Sequence, residues 1–273
     1  MSIVRSTTGF LSLKIRYLYN EWQICFYSMV SVCMATYNGQ KYLREQVNSI
    51  LSQLSEEDEL IVSDDGSTDE TLAILASYGE SRIKVYSHVK ENTAVGKSNM
   101  QLVAENLQFG LRQCQGDYIF LSDQDDIWLP GKVEKCVAGL QEYDLVNHDC
   151  KVVDENLNVI YSSYFNLVHT KEGFIHNFVK FGYLGCCMAF RKEVLSYVLP
   201  FDSKIAHDAW FCYLAELLGN CKCISDPLLL YRRHGKNTSG ASQKSTNPIW
   251  YRIAYRIPYL WRIMKRYFAI KCN

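Results

Sequence analysis

Three aspartates within four residues form a cluster that suits a divalent cation. Asp123, Asp125 and Asp126 directly follow an apolar run that ends at Ser122. Carboxylates this close repel one another and raise one another's pKa unless a cation neutralises them. Oxygen ligands suit Mg²⁺ or Mn²⁺, with water and substrate phosphates completing the shell. The cluster therefore predicts a Mn²⁺ or Mg²⁺ site, and a solvated acidic turn is the alternative.

Two earlier apolar runs also end in polar residues. Tyr37 and Asn38 follow the run 30–36, and Asp64 and Asp65 follow the next one. Tyr37 can stack on a base, and Asp65 can accept hydrogen bonds from a base N–H or a ribose hydroxyl. For the segment 64–69 the alternative is a helix-capping turn, because Asp-Gly-Ser sequences are common in turns.

Strands that alternate with helices must position these residues. Each of four β-branched and apolar runs is followed by apolar residues at three- and four-residue intervals, which predicts four strand–helix units. Such units build a parallel sheet covered by helices on both faces, with ligands beyond the carboxyl ends of the strands. After Asp144 the apolar runs shorten and predict an α+β half. The predicted strands are 30–36, 59–63, 83–87 and 117–122, and the helices 42–54, 71–78, 95–107 and from 130 onwards.

Composition and missing motifs exclude several classes of protein. No G-x-G-x-x-G follows the first strand and no G-x-x-x-x-G-K-[ST] occurs, which argues against dinucleotide oxidoreductases and P-loop enzymes. The 29 basic and 29 acidic residues cancel, so we expect no nucleic-acid partner. The 11 cysteines are odd in number and scattered through apolar segments, which indicates buried thiols in a reducing compartment. Without a secretory signal or a long apolar stretch, the sequence predicts a cytoplasmic location.

The C-terminal segment 249–273 is basic and aromatic. It contains six lysines and arginines, two tryptophans and no acidic residue. This pattern predicts an amphipathic helix on an anionic membrane surface. The alternative is a helix docked on the rest of the protein with a solvated basic face. Pro258 is expected to kink or split this helix, and the polar stretch 235–247 is expected to form a lid or a linker.

Four motifs, in this order, resemble family-2 glycosyltransferases of the GT-A fold. They are VSVCMATYNG (30–39), VSDDGSTDE (62–70), YIFLSDQDDIWLP (118–130) and YRRHGKNTSG (231–240). The likeness is greatest to bacterial members that build O-antigen and other surface polysaccharides, among them rhamnosyl- and hexosyltransferases. It implies a GT-A domain over 29–240, with a nucleotide-sugar-binding half (29–130) and an acceptor-binding half (131–240). The N-terminal extension 1–28 and the tail 241–273 remain outside it.

The resemblance implies inverting transfer of a sugar from a nucleotide-diphosphate donor, with a divalent metal on the diphosphate. Asp65 would contact the base, Asp123 and Asp125 would bind ribose and metal, and Lys97 would approach the diphosphate. The residues that would line the nucleotide pocket are Ala35, Thr36, Tyr37 and Asn38.

The resemblance places the catalytic base at Asp208, at the start of an apolar helix, where a helix N-cap is the alternative. His234 follows a predicted strand and would be a third metal ligand or a diphosphate contact; a solvated histidine is the alternative. The residues assigned to the acceptor or the transferred sugar are Asp149, Gly185, Cys186 and Trp210.

These features together predict an enzyme that adds one sugar to an undecaprenyl-diphosphate-linked saccharide at the inner face of the cytoplasmic membrane. Its pathway would be the synthesis of O-antigen, lipopolysaccharide or capsule. The preferred donor is a UDP-hexose such as UDP-glucose or UDP-galactose, and dTDP-rhamnose is the alternative. The competing hypotheses are a catalytically silent nucleotide-sugar-binding scaffold and a nucleotidyltransferase, which would release pyrophosphate.

Overall fold

The computed structural model describes residues 28–88, 97–235, 248, 250, 254 and 256–272. Within them, nine strands form a single mixed sheet. The four strands predicted in the first half are present and parallel, in the order β3-β2-β1-β4. Their bounds are β1 Val30–Thr36, β2 Glu59–Asp64, β3 Ile83–Ser87 and β4 Tyr118–Ser122.

Strand β1 lies between β2 and β4 and is covered on both faces, which explains its continuous apolar sequence. Its register pairs Thr36 with Asp64 of β2 and Met34 with Ser122 of β4. The carboxyl ends of these three strands therefore meet at one rim of the sheet. The polar residues that follow them are brought together there.

Helices cover both faces of the parallel strands. Val32 and Met34 pack in the same cluster as Leu43, while Cys33 packs in another cluster with Leu107. Because alternate residues of a strand point to opposite faces, β1 contributes to both layers. The helices are α1 Leu43–Leu51, α2 Thr71–Ala76, α3 Asn99–Leu111 and α4 Lys132–Leu140.

The second half extends the sheet with antiparallel pairs, as the α+β pattern predicts. Strand β8 pairs with β4, β6 with β8 and β5 with β9, all antiparallel, while β6 and β9 are parallel. The long strand β9 brings the residues that follow it back to the rim beyond β4. The bounds are β5 Ile127–Trp128, β6 Leu145–Val153, β7 Val159–Tyr161, β8 Met188–Arg191 and β9 Cys221–Arg232.

Five further helices pack on this half: α5 Tyr164–Val168, α6 Phe174–Val179, α7 Leu195–Val198, α8 His207–Leu218 and α9 Ile257–Lys271. Helix α9 packs against α8. Pro258 lies in the first turn of α9, where its missing N–H has no helical partner to lose. Ala254 is helical and Arg256 lies in a turn, so the described residues do not contradict the kink or split expected at Pro258. None of the described helices combines the length and apolarity that crossing a membrane requires.

The ten cysteines within the described ranges are free thiols, and seven of them are buried in the interior. Two predicted segments lie outside the described residues: the extension 1–28, except for Ser28, and the lid or linker at 235–247, except for Gly235.

Candidate active site

The acidic turn begins directly after β4. Gln46 of α1 donates a hydrogen bond from Nε2 to Ser122 Oγ (2.7 Å), and Ser122 Oγ donates in turn to the carbonyl of Asp123 (3.0 Å). Gln46 is fully buried. The interior of the protein therefore holds the backbone where the carboxylates begin.

Gln124 ties the same turn to the end of β1. Its Oε1 accepts from the Tyr37 N–H (3.0 Å) and its Nε2 donates to the Tyr37 carbonyl (3.1 Å). A Cβ added to Gly39 would meet the end of the Gln124 side chain, so a larger residue at position 39 would have to displace the Gln124 amide from Tyr37. Because the Gln124 side chain is directed at β1, the neighbouring Asp123 and Asp125 are free to face the rim.

Two carboxyls of the turn are protonated more readily than ordinary aspartates. Loss of hydration, together with the charges of Asp125 and Asp208, raises the pKa of Asp123 to about 7, although water still reaches this side chain. Burial, followed by the charges of Asp125 and Asp123, raises the pKa of Asp126 well above its ordinary value. Asp126 Oδ2 is buried without a hydrogen-bond partner among the described residues.

His234 reaches the turn from the end of β9. Its Nε2 lies 2.7 Å from Asp125 Oδ2, and its ring packs on the ring of Tyr42 with centroids 5.1 Å apart. Both partners of this pair are largely buried. Carboxylate oxygen and imidazole nitrogen are a donor pair that Mn²⁺ accepts.

The residues present fit a divalent cation. The ligand atoms of Asp123, Asp126 and Cys186 lie within 4.8 Å of one another. Asp126 Oδ2 has no hydrogen-bond partner among the described residues, and the charge of Asp125 adds to burial in raising the pKa of Asp123. A cation would offset the repulsion between these carboxylates. Asp125 and His234 lie outside this group of three and pair with each other, so they are further donors that a Mn²⁺ or Mg²⁺ ion could use beside it.

Arg232 fastens β9 to the acidic turn. Its backbone N–H donates to Asp126 Oδ1 (2.9 Å) and its Nε donates to the Asp125 carbonyl (2.9 Å). The guanidinium pairs with Glu45 and lies over the Tyr42 ring, 4.4 Å from its centroid. This clamp sets the position of His234, two residues further along the chain.

Tyr37 and Asn38 lie at the opposite end of the rim, beyond β1. Asn38 adopts a left-handed backbone conformation (φ 49°). Its N–H donates to Ser67 Oγ (2.9 Å) and its Oδ1 accepts from the Thr68 N–H (2.8 Å), which joins the turns after β1 and β2. Tyr37 is 51% exposed.

The other predicted donor residues differ in accessibility. Thr36 is buried and its Oγ1 donates to Asp64 Oδ1 (3.1 Å), whereas Ala35 is half-buried. Asp65 is buried, and its Oδ1 lies 3.1 Å from Nδ1 of His88. Sequence reasoning missed His88. Its position directly after β3 is the same signal that identified the polar residues after β1, β2 and β4.

Lys97 forms an ion pair with Glu105 of α3, its Nζ lying 2.7 Å from Glu105 Oε1. The preceding residues, 89–96, lie outside the described part of the chain. Its approach to a donor diphosphate stays a prediction.

Asp208 lies in the first turn of α8, half-buried, and accepts a hydrogen bond at Oδ1 from the Ala209 N–H (2.7 Å). A Cβ on Gly185 would lie 2.9 Å from His207 Nε2 and 3.9 Å from Asp208 Cβ. The 3₁₀ turn Gly185–Cys187 therefore packs directly against this end of α8. Burial raises the pKa of Asp208, and the adjacent His207 lowers it in part.

Three residues predicted on the acceptor side are buried, namely Asp149, Cys186 and Trp210, and Asp149 and Trp210 are held in the interior by hydrogen bonds. Asp149 is buried, and it accepts from Ser163 Oγ (2.5 Å) and from the Phe165 N–H (2.9 Å), so it holds the start of α5. Trp210 is buried and donates from Nε1 to the Val198 carbonyl (2.7 Å). Neither side chain is open to a ligand, because each is packed and hydrogen-bonded within the core.

Lys132 is a buried cation beneath the acidic turn that sequence reasoning also missed. Its Nζ donates to the Cys186 carbonyl (2.9 Å) and lies 4.0 Å from the Trp128 ring centroid. Burial lowers the pKa of Lys132, while its charge lowers that of Asp123. No sequence signal marks this residue, because a lysine at the start of a helix is normally solvated.

Comparisons with known proteins identify the family of this chain. The sequence profile described as Glycosyl transferase family 2 matches residues 31–199, more than half of the chain. The chain belongs to glycosyl transferase family 2. This glycosyltransferase is 32% identical over 227 residues to the dTDP-rhamnosyl transferase RfbG of Shigella flexneri, covering 77% of this chain and 74% of that protein. It is 27% identical over 229 residues to an uncharacterized glycosyltransferase of Nostoc, covering 80% of this chain and 69% of that protein.

Solved structures with this fold include TarS and a mannosyltransferase. TarS 1–349 of S. aureus, in complex with UDP, matches with a TM-score of 0.59 and 22% identity, over 75% of this chain and 60% of that chain. The mannosyltransferase PcManGT from Pyrobaculum calidifontis, in complex with GDP-Man and Mn²⁺, matches with a TM-score of 0.55 and 17% identity, over 96% of this chain and 81% of that chain. The fold of this family-2 glycosyltransferase is therefore GT-A, as the four motifs predict.

Proposed function

We propose that this glycosyltransferase transfers one sugar, with inversion, from a nucleotide-diphosphate donor to a lipid-linked saccharide in bacterial surface-polysaccharide synthesis. The acceptor lipid is undecaprenyl diphosphate, at the inner face of the cytoplasmic membrane. The observation that carries the proposal is the proximity of Asp208 to the acidic turn: a Cβ on Gly185 would lie 3.9 Å from Asp208 Cβ, and the ligand atom of the next residue, Cys186, lies within 4.8 Å of those of Asp123 and Asp126. A proton acceptor and a cluster able to hold a diphosphate-bound cation thus share one rim.

Asp208 acts as the general base. Its carboxylate accepts the proton of the acceptor hydroxyl, the hydroxyl oxygen forms a bond to the anomeric carbon, and the bond from that carbon to the donor diphosphate breaks. A raised pKa brings the base closer to neutral pH, where proton transfer is most effective. The close packing of Gly185 against His207 and Asp208 holds this side chain in place.

Asp125 and His234, together with Asp123, would hold the divalent cation. When bound, the cation supplies positive charge to the departing diphosphate. The protein contributes the orientation of these donors: Arg232 fixes the end of β9, and Gln124 fixes the acidic turn against β1. The carboxylates suit Mn²⁺ or Mg²⁺, and an imidazole ligand would favour Mn²⁺, because Mg²⁺ takes oxygen ligands.

The base of the donor would stack on Tyr37 and donate its N–H to Asp65. Uracil and thymine present the same imide N–H, so this contact admits both nucleotides. The 32% identity to a dTDP-rhamnosyl transferase over three quarters of both chains favours dTDP-rhamnose over the UDP-hexose preferred on the sequence alone. His88 orients the Asp65 carboxylate for either base.

The proposal is tested by a donor screen with the full chain. Purified protein, Mn²⁺ and a GlcNAc-diphosphate-lipid analogue are incubated with dTDP-rhamnose, UDP-glucose, UDP-galactose or UDP-GlcNAc. Product mass and the released nucleotide are measured. We expect a metal-dependent product and nucleoside diphosphate; release of pyrophosphate would identify a nucleotidyltransferase, and donor binding without any product would leave a binding scaffold.

A matched pair of variants tests the base. Asp208→Asn should bind the donor as the wild type does and lose transfer by about 10²–10⁴-fold. Asp226→Asn removes an exposed carboxylate that pairs with Lys135 and should transfer normally. Turnover of Asp208→Asn near the wild-type rate would remove Asp208 from the mechanism.

A further inference from the structure

Helix α9 attaches to the glycosyltransferase domain through its inner face. Ile263 is fully buried there. Arg256 donates to the Phe178 carbonyl (2.5 Å), Arg262 to Asp202 Oδ2 (2.9 Å) and Arg266 to the Tyr197 carbonyl (3.0 Å). Three of the six basic side chains of segment 249–273 are therefore directed at the protein. These contacts dock the helix on the protein, and it also packs against α8.

The opposite side of α9 is exposed and largely apolar. Ile257, Trp261, Lys265 and Phe268 follow one another at four-, four- and three-residue intervals, which places them on one stripe. We call this stripe the outer face. Trp261 is 64% exposed and Phe268 56%, and Lys265 Nζ lies 5.5 Å from the Trp261 ring centroid.

The charge of the outer face indicates what covers it. Segment 249–273 contains no acidic residue, while Lys265 and Lys271 are exposed. Two copies of this face packed on each other would bring their lysines together without an acidic partner from either segment. An anionic lipid surface instead pairs with the lysines and admits the aromatic rings, since tryptophan favours the headgroup boundary.

We propose that the outer face of α9 docks the protein on an anionic bilayer, with Trp261 and Phe268 inserted at the headgroup boundary and Lys265 paired with lipid phosphate. The docking itself does not depend on the proposed function. Only the link between the docked helix and the lipid-linked acceptor rests on that function. Helix α9 packs on α8, which carries Asp208 in its first turn, so the docked surface belongs to the same half of the protein as the proposed base.

Vesicle flotation of the full chain tests the docking. The wild type should float with vesicles that contain phosphatidylglycerol, and much less with phosphatidylcholine alone. The double variant Trp261→Ala/Phe268→Ala and the variant Lys265→Glu should each lose at least about tenfold in bound fraction. The matched control is Val159→Ala/Ile160→Ala on β7, whose side chains are 56% and 49% exposed, and it should float like the wild type.

Several results would overturn the docking. Equal flotation of the wild type and the Trp261/Phe268 variant would contradict it. A loss of flotation in the Val159/Ile160 control as large as that in the Trp261/Phe268 variant would also contradict it. A wild-type dimer in sedimentation equilibrium that the same variant dissociates would show that a second copy covers the face. Thermal melting of each variant confirms that it is folded.

Transfer to a water-soluble acceptor analogue separates this proposal from the enzymatic one. The Trp261/Phe268 variant should retain that activity and lose activity on acceptor embedded in vesicles. Flotation without transfer to any acceptor would contradict the proposed function and leave the docking intact. Transfer without flotation would contradict the docking alone.

Discussion

Binding of Mn²⁺ to the protein alone should tighten as pH rises through about 7. The pKa of Asp123 is about 7, because lost hydration and the charges of Asp125 and Asp208 oppose its ionisation, partly offset by Cys186 and Lys132. A cation competes with the proton for this carboxylate. Its ionised fraction rises from about 9% at about pH 6 to about 91% at about pH 8. The apparent Kd for Mn²⁺ should therefore fall about tenfold over that interval.

The stability of the metal-free protein should change in the opposite direction. Because folding raises the pKa of Asp123 from its ordinary value of 3.8 to about 7, this group stabilises the fold below about pH 4 and ceases to do so as pH rises through about 7. The loss is about 1–2 kcal/mol, since water reaches Asp123 and weakens the effect of its neighbours. Added Mn²⁺ should raise the melting temperature more at about pH 8 than at about pH 6.

Electron paramagnetic resonance of free Mn²⁺, at constant ionic strength, measures this affinity without any turnover. The variant Asp123→Asn should bind Mn²⁺ more weakly and with little dependence on pH. Asp226→Asn, which changes a distant exposed carboxylate, should reproduce the wild-type curve. A wild-type Kd that changes less than about twofold, or an Asp123→Asn curve as steep as the wild type, would refute the assignment of the proton to Asp123.

Three further perturbations follow from the site. His234→Ala should weaken Mn²⁺ binding at least about tenfold, measured by calorimetry, because the imidazole beside Asp125 is removed. Unchanged affinity would exclude His234 as a ligand. Gly185→Ala should lower the turnover number while donor affinity stays constant, because the new Cβ displaces His207, 2.9 Å away; an equal loss of donor affinity would contradict this. Lys132→Met should lower the free energy of unfolding, measured by urea denaturation, by about 1–3 kcal/mol, because the buried Cys186 carbonyl loses its hydrogen-bond donor. The control is Lys135→Met, which removes an exposed ion pair on the same helix and should change the stability much less.

The parallel half of the fold was predictable from local pattern. Strands β1 and β3 have the predicted bounds, since both contain β-branched residues and each is followed directly by a polar residue, Tyr37 and His88 respectively. Helix α3 begins at Asn99 instead of residue 95, because Ser98 and Gln101 form a capping box that the prediction overlooked. The insertion of β8 between β4 and β6 depends on pairing between distant segments, which no local period encodes.

The acceptor side shows where sequence proximity misleads. Trp210, assigned to the acceptor side, lies two residues after Asp208 in the sequence, but residues two apart on a helix point to different sides. Asp208 lies at the rim, while Trp210 packs inside and binds the Val198 carbonyl. The sequence also does not identify Lys132, because a charged side chain is expected to be solvated. Only the fold buries Lys132 against Trp128 and Cys186.

The sequence by itself determined the strand–helix alternation, the acidic turn after β4 and the amphipathic character of the C-terminal segment, because each is a pattern within a few neighbouring residues. Only the tertiary structure decided that Asp125 meets His234, 109 residues away, since that contact requires β9 to return along the sheet. It likewise decided which side of α9 is covered. The periodicity of the sequence indicates that a helix has an apolar stripe, whereas packing determines which side of the helix the rest of the protein covers.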